Sequence, residues 1–125
     1  MLGLNRVLLA GEVGDRPEVR YTPEGCAVAC FSVVVSRSWA GPGGRTQREA
    51  ESYGVVAWRE LAERCGEDLE PGMGVYVEGR LRNHSWRDVL GRQMARTEIV
   101  AERVIVLEPD DPAEPENRYD YEYQS

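Results

Sequence analysis

The sequence predicts an all-β barrel, and three observations carry that reading. Five segments are rich in Val, Ile and aromatic residues and are bounded by clusters of Gly, Pro and Asp. One short segment with helical spacing falls between the third and the fourth of them. The composition changes abruptly at Glu108, which leaves residues 1–107 as one domain and 108–125 as a tail.

The first strand is expected over Leu4–Val13 and the second over Ala27–Ser38. A stretch without apolar periodicity, Ala40–Ser52, reads as a mobile loop before a third strand, Tyr53–Arg59. In the next stretch, Arg59–Gly72, residues Leu61, Cys65 and Leu69 stand four apart, as one face of a short helix stopped by Pro71 and Gly72. The fourth strand, Gly74–Trp86, alternates clearly. Val75, Val77 and Leu81 share one parity; Tyr76, Glu78, Arg80, Arg82, His84 and Trp86 share the other. The first set calls for a core and the second for a polar, flat or charged partner. Asp88–Gly91 is the expected hairpin tip and Met94–Leu107 the fifth strand. Five strands with one helix between the third and fourth is the layout of an OB-fold, a barrel that commonly binds oligonucleotides on one sheet face.

The formal charge of −7 at first argues against a nucleic-acid partner. Its distribution removes the objection. Residues 1–107 hold 14 Arg against 15 Asp and Glu, a net of −1, whereas 108–125 hold one Arg against seven acids, a net of −6. That tail is rich in Pro and acid and nearly free of aliphatics, so it is expected to be disordered. Every basic residue is Arg, the side chain that pairs bidentately with phosphate and stacks on planar groups, but a biased genome composition produces the same count and is the better explanation of it.

Cys26, Cys30 and Cys65 form an odd set with no paired spacing, and His84 is the single histidine, so neither a disulfide framework nor a metal site is expected. No cofactor is expected. An enzyme, for example a nuclease, would need converging carboxylates or a histidine-based acid–base pair, and the acids of the body are scattered singly. No run approaches a membrane span, and the N-terminus lacks the layout of a signal peptide, which points to a cytoplasmic protein.

The blocks "NRVLLAGEVGDRPEVRYTPEGCAVACFSVVVSRSW", "VVAWRELAE", "VYVEGRLR" and "TEIVAERVIVLEP" together resemble the bacterial single-stranded DNA-binding proteins, over Asn5 to about Pro109. The resemblance implies an OB-fold homotetramer that binds single-stranded DNA without strong sequence preference in replication, repair and recombination, and that is not an enzyme. Trp39, Trp58 and Trp86 match the family's base-stacking positions. Arg6, Arg20, Arg37, Arg59, Arg80, Arg82 and Arg87 are the candidate phosphate contacts. By alternation Trp39 falls with Phe31, Val33 and Val35, so it can meet DNA only where a bulge or the strand's end breaks the count.

The chain departs from the family in four places. Ser52 stands where an aromatic stacker is usual, with Tyr53 beside it on the opposite parity. Glu70, Pro71, His84 and Ser85 replace residues that are often basic. The tail closes on "YDYEYQS" rather than on Ile-Pro-Phe, the tip with which the family recruits replication and repair proteins. These departures keep a second reading open, an OB-fold of the primosomal type that works mainly through protein contacts.

Overall fold

The computed structural model describes residues 2–108. The strands are β1 (Val7–Val13), β2 (Glu18–Tyr21), β3 (Ala27–Ala40), β4 (Thr46–Trp58), β5 (Gly74–Arg87) and β6 (Gln93–Leu107), with one helix, α1 (Arg59–Asp68), between β4 and β5. The sheet runs β1-β5-β6-β4-β3-β2, and a further pairing of Glu12 and Val13 in β1 with Val34 and Val33 in β3 closes it into a barrel. The β4–β6 pair is parallel and the others antiparallel. This is the expected OB-fold, five barrel strands with α1 between the third and fourth; β2 adds a short edge beside β3.

The inward parity of each strand supplies the core: Val13, Ala29, Phe31, Val33, Val55, Ala57, Val75, Val77, Ile99 and Ala101. The helix covers one end, burying Ala62 and Cys65 and setting Leu69, its C-terminal cap, against the same cluster. Burial pushes the Cys65 thiol up to about 11. Gly79 fits a close approach of β5 and β6, since a Cβ there would stand 2.2 Å from the Val100 carbonyl oxygen. At that point Glu78 pairs with Arg103 but Gly79 with Ala101, so β6 carries one extra residue. The bulge explains why inward parity in β6 passes from Ile99 and Ala101 to Val104.

Three expectations need correction. Ala40–Ser52 is not a loop. β3 continues to Ala40, β4 starts at Thr46, and the two pair without a register shift from Val28–Trp58 to Ala40–Thr46. Pro42, Gly43 and Gly44 make the turn, the two glycines at φ of 76° and 77°. The segment lacks apolar periodicity because it extends past the rim of the barrel, where neither face meets a core. Leu81 shares the inward parity yet is 46% exposed, for the same reason. β2 was not anticipated, because four residues, Glu18–Tyr21, give too short an alternation to read.

Candidate single-stranded DNA interface

Because β4 and β6 run parallel at Val55–Ile99 and Val56–Val100, the segments preceding those residues leave the barrel at the same end. Two hairpin arms result. One is formed by the end of β3 and the start of β4, the other by the end of β5 and the start of β6. The second arm closes at Asp88–Gly91, as expected. Asp88 accepts bonds from the backbone N–H groups of Arg92 and Leu90, both 2.9 Å, and from the Arg92 guanidinium at 2.7 Å. The bond from the Arg92 backbone N–H is the main cause that holds the Asp88 carboxyl below the usual range.

Each arm carries a tryptophan. Trp39 is 43% exposed and Trp86 37%. The Arg37 guanidinium lies 4.8 Å from the Trp39 ring centroid, and that of Arg96 lies 5.6 Å from the Trp86 centroid. Both distances are within reach of a cation–π contact. Each of these arginines is paired in turn with a carboxylate on its own arm: Arg37 with Glu49 at 3.1 Å, Arg96 with Glu98 at 3.6 Å. His84 stacks on Trp86 as well, at 5.3 Å between centroids. Trp39 reaches solvent without any bulge. It keeps the parity of Phe31 and Val33, and the strand simply outruns the core.

Trp58 lies elsewhere. It ends β4, is half-buried and serves as the N-terminal cap position of α1, two residues beyond Val56, which is level with Val100. Trp86 pairs with Met94. Along β6 the two rings are therefore separated by about eight residues, or roughly 25 Å at ~3.3 Å per residue. The outer face also holds an open groove of about 560 Å³, lined by Asp15, Arg16, Glu18, Ser32, Arg96 and Glu98 among others, with neither ring in its lining.

The seven sequence-selected arginines divide by their partners. Arg6 pairs with the partly buried Glu78 at 3.8 Å, while the pairs of Arg20 with Glu18 at 2.5 Å and of Arg37 with Glu49 are on exposed surface. Such pairs are worth about 0–1 kcal/mol and exchange readily. Arg59 and Arg80 have no carboxylate partner among the described residues. Arg59 also holds a φ of 58°, the sharp bend that turns the chain from β4 into α1 beside Trp58. Arg87 donates to the Gly91 carbonyl at 3.1 Å and so helps close the hairpin tip. Arg82 is bound to Glu98, the one buried charged side chain among the described residues. Arg96 was not selected from the sequence. Its place over Trp86 follows from the pairing of His84 with Arg96, and a register is not visible in a single strand.

The model of the single-strand binding protein family matches residues 4–107. The chain belongs to that family. Over 122 residues it is 37% identical to single-stranded DNA-binding protein 2 of Listeria innocua, covering 98% of this chain and 76% of that protein. The structure superposes with a TM-score of 0.76 on the single-strand binding protein of Plasmodium falciparum in its complex with single-stranded DNA, at 24% identity, over 86% of this chain and 98% of the other. A deletion mutant of the single-stranded DNA binding protein from Thermus aquaticus gives 0.74 at 31% identity, over 86% of this chain and 52% of the other. The two structural likenesses agree with the OB-fold built above, and the family membership agrees with the resemblance read from the sequence blocks.

Proposed function

We propose that this protein coats single-stranded DNA without strong sequence preference during replication, repair and recombination. The observation that carries the reading is the pair of arms, each presenting a half-exposed tryptophan with an arginine over its ring. Every base has a π-face, so a stacking platform accepts any sequence, and the neighbouring guanidinium supplies attraction to phosphate. Trp39 and Trp86 are the stacking residues of the arms, and Trp58 takes a base at the end of β4. Arg6, Arg20, Arg37, Arg59, Arg80 and Arg82 supply phosphate contacts, with Arg87 nearby on the tip.

The family supports the remaining parts of the reading: a homotetramer, no catalytic activity, and work in the cytoplasm at the nucleoid. Leu4 and Leu8, 93% and 55% exposed beside and on β1, give an apolar surface that a second copy would cover. No helix among the described residues is long and apolar enough to cross a membrane. Residues 109–125 lie outside the described residues; their charge fits an acidic recruiting tail for replication and repair proteins, with a tip unlike the usual one.

One observation favours the protein-contact alternative. Several surface arginines are already paired with acids, which weakens a phosphate-binding field. Titrating the protein with an oligo-dT while following tryptophan fluorescence at low and at moderate salt separates the two. DNA binding gives quenching at both, weaker at the higher salt, with duplex DNA a poor competitor. Quenching confined to very low salt favours the protein-contact module, and equal affinity for duplex removes base stacking.

A further inference from the structure

Glu98 occupies an unusual place for a carboxylate on a DNA-binding face. Its side chain is 8% exposed, and both its oxygens are engaged: Oε1 accepts from Arg82 and Oε2 faces the Arg96 guanidinium at 3.6 Å. The pairing of β5 with β6 puts these groups on one ladder. Arg82 stands opposite Glu98, His84 opposite Arg96, and Trp86 opposite Met94. A buried carboxylate holds its partner firmly, because moving Arg82 to a phosphate would leave Glu98 buried and short of a counter-charge. Arg96 is different. Its side chain is 60% exposed, it faces Glu98 only at Oε2 and without a hydrogen bond, and its guanidinium already lies over Trp86.

We propose that Glu98 is a positioning residue that sets the charge this face offers to single-stranded DNA: it withdraws Arg82 from phosphate contact and tethers Arg96 beside Trp86 as the arginine that makes it. The inference rests on the single-stranded DNA reading above. It replaces Arg82 with Arg96 among the contacts and gives an acid, rather than a base, control of the binding strength. The cost to affinity is intrinsic, since one of the two arginines on the ladder is spent on an internal partner.

Salt dependence tests this directly, because each phosphate contact on a single strand adds about 0.7 to the slope of log affinity against log salt. The full chain is titrated with fluorescein-labelled oligo-dT by anisotropy over a series of sodium chloride concentrations. Glu98→Gln is expected to steepen the slope by about 0.7 and to tighten binding several-fold at the lowest salt, as Arg82 is released while Arg96 keeps its hold over the Trp86 ring. Arg96→Gln is expected to make the slope shallower by about the same amount, and Arg82→Gln to leave it unchanged. A purely structural role for Glu98 would lower the melting temperature and leave the slope as it was. That result overturns the proposal, as does a slope lost equally in the Arg82 and Arg96 variants. Should Glu98→Gln fail to fold, Arg96→Gln decides alone, since it alters an exposed side chain: an unchanged slope overturns the proposal. Failure of the unaltered protein to bind oligo-dT at any salt defeats the DNA-binding reading itself, which distinguishes the two failures.

Discussion

The two arms repeat one arrangement, Trp39–Arg37–Glu49 on β3–β4 and Trp86–Arg96–Glu98 on β5–β6. They differ in the carboxylate. The Glu49 side chain is 45% exposed and holds a single arginine, whereas Glu98 is buried and holds two. An exposed carboxylate next to a cation is a weak, exchangeable partner; a buried one is part of the fold. The same three residue types therefore rest on an exchangeable carboxylate on one arm and on a carboxylate built into the fold on the other. What separates them is distance from the barrel. Glu98 is one residue from the core residue Ile99, and Glu49 is four residues before the first residue of β4 that packs on the core, Tyr53.

The sharpest way to break the comparison is to remove the arginines. Arg82→Ala leaves Glu98 with only Arg96 and is expected to cost about 3 kcal/mol of stability in a denaturant titration, the lower end for a broken buried pair. Arg37→Ala is expected to cost less than ~1 kcal/mol. Equal losses would show that burial does not distinguish the arms. Removing the rings tests the shared part instead. Trp86→Ala and Trp39→Ala are each expected to weaken oligo-dT binding by about 1–3 kcal/mol, the range for one stacked base, with little change in melting temperature. Loss at Trp86 alone would make the β5–β6 arm the principal site.

Smaller effects refine the picture. Deleting residues from Glu108 onward removes a net of −6 on a tether and should tighten DNA binding at low salt, less so at high salt, because a tethered anion competes with phosphate at high effective concentration. Unchanged or weaker binding after truncation would show that the tail does not shield the arms. The smallest effect concerns pH. Asp88 titrates lower in the folded hairpin than in the open chain, so its contribution is present above the ordinary aspartate range and disappears as pH falls through the lowered value. Hydrogen exchange at the β5–β6 tip should therefore quicken in acid, and Asp88→Asn should remove that acid-specific step; an unchanged acid response in the variant would contradict it.

How much of this was legible in the sequence depended on the core. Val75 and Val77 announced their strand because burial of one face imposes a period of two, and Leu61, Cys65 and Leu69 announced the helix in the same way. The pattern fades where the strands leave the barrel. Leu81 kept the inward parity and became exposed, and residues 40–52 showed no period because neither of their faces is buried. Trp39 illustrates the point from the other side. Alternation assigned it to the core set, and it lies on that face, but six residues past Val33 the face no longer has a core beneath it. Arg96 and Glu98 were invisible for another reason. Their roles come from partners on β5, and the register that aligns His84 with Arg96 and Arg82 with Glu98 depends on the single bulge at Gly79.

The arms, and not the barrel that carries them, are expected to take the DNA by base stacking. A double variant, Trp39→Ala with Trp86→Ala, tests it most directly when oligo-dT affinity and melting temperature are measured on the same preparation. The expected result is a melting temperature close to that of the unaltered protein and a loss of affinity of about 2–6 kcal/mol, two stacked bases' worth. Affinity that survives the loss of both rings in a folded protein would contradict it.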